Sequence, residues 1–169
     1  MKGGFELMEQ KPLRTDGCLE NVIKAYSNMV YRLAFSHTRN KSNADDIYQE
    51  VFIRYIRKKP QFETEEHKKA WFIRVTINCC KKMWISPWHS KIALLEDNIV
   101  FEMKEETNLH YELQKLPMKY RTVVHLFYYE DLSIEEISKI LNQKLSTTRT
   151  QITRARYKLK EILKEDYDV

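Results

Sequence analysis

From Leu19 onward, apolar residues recur at helical rather than strand spacing. Val22, Ile23 and Tyr26 lead into Val30, Leu33 and Ala34 with no strong breaker before Asn40, which predicts a first helix. Ser42 stands where an N-cap belongs, with Asp45 three residues on, so a second helix is expected from Ser42 to about Lys59, stopped by Pro60. A third begins near Thr64, where the helix dipole favours Glu65 and Glu66 in the first turn, and runs through Trp71, Phe72 and Val75 to about Trp84. The period breaks from Ser86 to about Asn98, around a Ser-Pro-Trp run, and this stretch reads as an interdomain linker. Four shorter segments follow: from Phe101 or Leu109 to Leu116, Met118 to Tyr129, Ser133 to Leu141, and Ser146 to Glu165.

The pattern predicts an all-α fold of two small helical domains joined by a linker, the second of them a helix-turn-helix. The expected division is a flexible leader over 1–17, a first domain over 18–85, a linker over 86–107 and a second domain over 108–169. No repeat of fixed period and no low-complexity tract interrupts it.

Composition narrows the picture. With 43% hydrophobic and 31% charged residues, the chain is that of a folded globular protein rather than a disordered one. Three Gly and four Pro in 169 residues leave little material for hairpins or phosphate loops. A formal net charge of +5 favours an anionic partner, and by itself suits a nucleic acid or a membrane surface equally. No apolar run approaches the roughly 18 residues of a membrane span, and the N-terminus lacks a signal-peptide core, so no membrane insertion and a cytoplasmic location are expected. Cys18, Cys79 and Cys80 form no CxxC pair and no histidine lies at ligand spacing from them, so neither metal nor cofactor is expected. Cys79 and Cys80 read as small apolar helix residues. With no Gly-rich loop and no recognisable nucleophile arrangement either, no enzyme is expected.

The strongest local signal lies near the C-terminus. Ser133, Ile134, Glu135, Glu136 is an S-x-x-E capping box, followed by Ile137, Ile140 and Leu141 at helical spacing. Asn142 to Leu145 interrupt, and Ser146 can cap a second helix, which together make a helix-turn-helix. At about 100° per residue, Thr148, Ile152, Ala155, Leu159 and Ile162 share one face of that second helix. Thr147, Thr150, Arg154 and Tyr157 share the opposite one, with Thr153 beside them. Hydroxyls and an arginine near a helix N-terminus suit the major groove, where Arg reads guanine bidentately. Arg149 and Arg156 project nearer the core boundary, which suits phosphate contacts or internal ion pairs. A solvated basic helix with no nucleic-acid role is the alternative for such a face.

These residues resemble the extracytoplasmic-function group of bacterial sigma factors, over roughly Glu20 to Leu163. Ala44 to Phe52 (Ala-Asp-Asp-Ile-Tyr-Gln-Glu-Val-Phe) is similar to that group's region-two motif, which implies docking on core RNA polymerase through Asp46, Gln49, Glu50 and Ile53. Helical geometry agrees: Asp46, Gln49, Ile53 and Ile56 lie away from the line through Ala44, Ile47, Val51 and Tyr55. The alternative is that Ile53 and Ile56 pack on a neighbouring helix. Trp71 to Asn78 resembles the segment that melts and reads the minus-ten promoter element, which implies DNA contacts by Arg74, Asn78, Lys81 and Lys82. Trp71, Phe72, Val75 and Cys79 form an apolar stripe and are expected in the core. The Asp and Arg that commonly follow the Asn are replaced by Lys82 and Ile85.

In the second half, Leu116, Pro117, Tyr120 and Arg121, then Phe127 to Ser133, and the triplet Arg154, Ala155, Arg156 look like region four. The resemblance implies minus-thirty-five contacts by Thr147, Arg149, Thr150, Thr153 and Arg154. Ser146 replaces the usual turn glycine and Gln151 the usual Arg. The implied function is a sigma factor that joins core polymerase, promoter DNA and, under control, an anti-sigma factor. A stand-alone helix-turn-helix regulator is the competing reading.

Overall fold

The structure, a computed structural model, describes residues 19–85 and 108–167, with side chains described up to 164 and, in the second span, from 112. The expected leader and linker lie outside the described residues. The first span holds α1 (Leu19–Thr38), α2 (Lys41–Lys58) and α3 (Glu65–Ile85). The second holds α4 (Asn108–Lys115), α5 (Met118–Tyr128), α6 (Ile134–Ile140) and α7 (Leu145–Tyr167). No described helix is long and apolar enough to cross a membrane.

The helices begin and end where local chemistry dictates, with two departures from expectation. Asn40, not Ser42, caps α2: its side chain accepts the Asn43 N–H at 2.9 Å, so the helix starts at Lys41 and Asp45 sits beyond capping reach. Likewise α7 starts at Leu145, and Ser146 lies inside its first turn, its carbonyl accepting the Thr150 hydroxyl at 2.9 Å. The box at Ser133 forms as the sequence requires, with Ser133 N–H on Glu136 at 2.8 Å and Glu136 N–H on the Ser133 hydroxyl at 3.2 Å. Every glycine precedes Cys18, so the left-handed turn positions fall to Arg39, Lys59, Asp131 and Asn142, with φ between 44° and 54°. For residues carrying a Cβ such a conformation costs on the order of 1–2 kcal/mol each, least for Asn and Asp, and the flanking helices must hold it.

The first span is a three-helix unit organised on Phe72, which is fully buried. Tyr26 stacks on its ring at 4.6 Å between centroids, Tyr55 and Phe52 lie at 5.3 and 5.5 Å, and Trp71 meets it edge-on at 5.1 Å. Trp71 is thus part of the packing, as its apolar stripe implies. Cys79 and Cys80 are buried with free thiols, and burial pushes the Cys80 thiol up to about 12.

The second span has a small core of its own: Leu113, Leu116, Tyr120, Val124 and Ala155. Val123, Leu126, Ile137, Ile140 and Ile152 instead join the same continuous cluster as the first unit's core. Polar groups stitch this seam. The Arg121 guanidinium of α5 donates to the Ser36 carbonyl of α1 at 2.7 Å, and the Thr122 hydroxyl meets His37 Nε2 at 3.0 Å. Arg39 donates to the Gln114 carbonyl. From α3, Lys69 donates to the Glu130 carbonyl at 2.7 Å, with its ammonium 3.6 Å from that residue's buried carboxylate.

Candidate nucleic-acid interface

The helix-turn-helix is α6, a turn and α7. Leu141 closes α6, the left-handed Asn142 reverses the chain, and α7 lays Thr148, Ile152 and Ala155 into the interior with Leu159 and Ile162 half-buried behind them. Thr147, Thr150, Thr153 and Arg154 are exposed on the face the sequence pattern assigned to them, and Arg149, expected nearer the core boundary, is exposed as well. Two hydroxyls are tied to their own helix, Thr150 to the Ser146 carbonyl at 2.9 Å and Thr153 to the Arg149 carbonyl at 3.0 Å. Each keeps its acceptor lone pairs outward. Arg149 differs from the rest: its guanidinium lies 3.8 Å from Glu135 of α6, an exposed ion pair. Arg156 turns away from the reading face, donating to the Tyr128 hydroxyl at 2.8 Å and lying over the Phe127 and Tyr128 rings.

Thr147, Thr150 and Arg154 line a groove of about 320 Å³ together with Lys119, Tyr120, Ser146 and Gln151. Lys119, Tyr120 and Gln151 are absent from the sequence-derived set. Gln151 could have been found there, since it follows Thr147 by four positions and so shares its face.

On the first unit, Arg74, Asn78, Lys81 and Lys82 are exposed along α3, opposite the buried Phe72, Thr76 and Cys80. On α2, Asp46 and Gln49 are exposed, and Ile53 and Ile56 remain 38% and 45% exposed. Glu50 differs from its companions, being half-buried and paired with Arg54 at 2.6 Å. Asp46, Glu50 and Lys82 meet in one groove of about 380 Å³, floored by Ile47, Cys79 and Met83. The surface expected to meet a protein and the one expected to meet DNA therefore share a border.

Fold and faces define a two-unit helical DNA-binding protein with a C-terminal helix-turn-helix and a second, aromatic-backed basic helix upstream. Comparison with known proteins gives the family. Residues 22–87 match Sigma-70 region 2 and residues 106–159 match Sigma-70 region 4. The chain is 29% identical over 169 aligned positions to the RNA polymerase sigma factor SigV of Bacillus subtilis, covering 93% of this chain and 98% of that protein. It is 27% identical over 165 positions to the same organism's ECF RNA polymerase sigma factor SigW (86% and 88% covered), and 30% identical over 138 to its sigma factor SigZ (76% and 77%). In fold it is similar to the sigma factor RpoE solved with the anti-sigma factor NepR from Bartonella quintana, with a TM-score of 0.69 and 19% identity over 86% of this chain and 96% of that one. CnrH, solved with the cytosolic domain of CnrY, gives 0.64 and 19% over 88% of each. The chain belongs to the sigma-70 family of RNA polymerase sigma factors, in its extracytoplasmic-function group.

Proposed function

We propose that this sigma factor distributes promoter recognition over three surfaces, each carried by one helix. The exposed α2 face (Asp46, Gln49 and Ile53, with Glu50 at its edge) docks on core RNA polymerase. The α3 face (Arg74, Asn78, Lys81, Lys82) engages the minus-ten element, and α7 (Thr147, Arg149, Thr150, Thr153, Arg154) reads the minus-thirty-five element in the major groove. The observation that carries this reading is the clean separation of α7, with Thr148, Ile152 and Ala155 inside and the hydroxyls and Arg154, which bonds Tyr120 beside it, on the exposed face. On α2, two exposed isoleucines beside Asp46 and Gln49 form an apolar patch with polar anchors, the composition of a protein-binding surface. DNA opening draws on binding energy, with no catalytic step, and the protein works in the cytoplasm. An anti-sigma factor covering these faces is the fitting control, since the two fold relatives were each solved with such a protein or with a partner's cytosolic domain.

Adding the purified chain to core polymerase on a randomised promoter library tests the reading. Transcripts starting at a fixed spacing from two enriched elements are expected. DNA binding by the chain alone with no stable polymerase complex would instead make it a stand-alone regulator.

A further inference from the structure

The turn of the helix-turn-helix carries a side-chain relay. Gln143, which follows the left-handed Asn142, is anchored by its own N–H on the Ser138 carbonyl at 3.0 Å. Its side-chain amide nitrogen donates twice, to the Thr148 hydroxyl and to the Gln151 side-chain oxygen, each at 2.8 Å. Thr148 is fully buried, with its hydroxyl oxygen 3.5 Å from the Lys144 carbonyl. That hydroxyl accepts from Gln143, whose amide nitrogen faces α7 and gives it one of its two hydrogens. The other goes to Gln151. Gln151 turns its oxygen to Gln143, which leaves its NH2 as the free hydrogen-bonding end of a side chain that lines the groove with Thr147, Thr150 and Arg154.

We propose that Gln151 is a further base-reading residue of the minus-thirty-five contact, held by Gln143 as a one-way hydrogen-bond donor. The inference rests on the reading of α7 as the major-groove helix. An unrestrained glutamine pairs bidentately with adenine, accepting from N6 and donating to N7. With its oxygen turned onto Gln143, Gln151 presents its NH2 away from that bond and meets a base as a donor. Guanine, adenine and thymine all show an acceptor in the major groove, whereas cytosine shows only its N4 donor. Gln151 therefore accepts three bases at the position it faces and rejects cytosine.

The test is transcription by core polymerase reconstituted with the full chain, over a promoter set with every base at every minus-thirty-five position, each profile normalised to its own mean. For the wild-type chain, cytosine should be disfavoured about five- to tenfold at one position, the low end of a single base contact. Gln151→Glu keeps the size and the bond from Gln143 but replaces donor by acceptor, and should make cytosine the preferred base there. Gln143→Leu frees the Gln151 oxygen and should raise adenine selectively at the same position. Thermal melting of each variant, with an unchanged helical signal, shows that the domain is intact. An active Gln151→Glu protein whose normalised profile matches wild type at every position, or whose output falls equally on all sequences, overturns the inference and leaves the sigma-factor reading standing. A wild-type chain that starts no promoter-directed transcript overturns both.

Discussion

The two helical units are built on different terms. The first closes its own core around Phe72, with four aromatic rings within 5.5 Å of it between centroids. The second has five buried apolar residues in a cluster of its own, while Val123, Leu126, Ile137, Ile140 and Ile152 complete the cluster that begins in the first. A small helical domain buries too little apolar surface to be comfortably stable alone. The reading helix α7 thus depends for its platform on whatever covers α5 and α6, which in this structure is α1 and α3. The first unit is a scaffold and the second leans on it, so damage to each should travel differently.

The largest effect should come from the scaffold. Phe72→Ala empties the centre of the aromatic cluster and should cost about 3–5 kcal/mol, read by urea unfolding of the full chain. Because the second unit leans on the first, both should lose structure together. Leu126→Ala, at the seam, should cost about 2–5 kcal/mol but asymmetrically. Hydrogen exchange is expected to rise across α5 and α6 and stay near wild type in α2. Equal opening of α2 would mean that the two units form one cooperative body.

Acid should act at the same seam. Burial first, then the proximity of Arg121, His125 and Lys81, lowers His37 from 6.5 to about 3. The folded state therefore keeps His37 neutral while the unfolded chain binds a proton below its ordinary value. The unfolded state holds more protons in that window, so the stability contributed is fully present above about pH 6.5 and is lost as pH falls toward 3, by an amount on the order of a few kcal/mol. His37→Gln should flatten that part of the stability curve, measured by urea midpoints between pH 7 and pH 4. An unchanged slope would remove His37 as its source. The smallest effect belongs to an exposed cap within the leaning unit: Ser133→Ala should cost about 1 kcal/mol, seen as a modest drop in melting temperature with the first unit's exchange pattern unaltered.

Much of this was legible in local pattern. The capping box at Ser133, the buried line through Thr148, Ile152 and Ala155 and the exposed Thr150 and Arg154 follow from spacing alone, because a helix repeats its environment every few residues. Single-residue choices between competing caps were not. Asn40 and Ser42 are both good caps, and the backbone turn at Arg39 decided for Asn40. Ser146 lost its capping role because α7 begins one residue earlier, with the Thr148 N–H on the Lys144 carbonyl. The seam was invisible for a different reason. Arg121 and Ser36 are 85 residues apart, and a buried guanidinium meeting a distant carbonyl leaves no periodic trace. Gln143 and Gln151 belong to a turn and a helix, and only the folded backbone brings their amides together.

The first unit binds polymerase and the second reads the minus-thirty-five bases in this proposal, and a crossed pair of variants separates the two roles. Core-polymerase affinity and minus-thirty-five base preference are measured for Arg154→Ala and for the double change Asp46→Ala with Gln49→Ala. Arg154→Ala should relax base preference at one position by about tenfold, worth the 1–3 kcal/mol of a bidentate contact, and leave polymerase affinity unchanged. The double variant should weaken polymerase binding by about tenfold or more and leave the base profile of residual transcription intact. Equal loss of both properties in either variant would show that the two units do not divide polymerase binding from base reading.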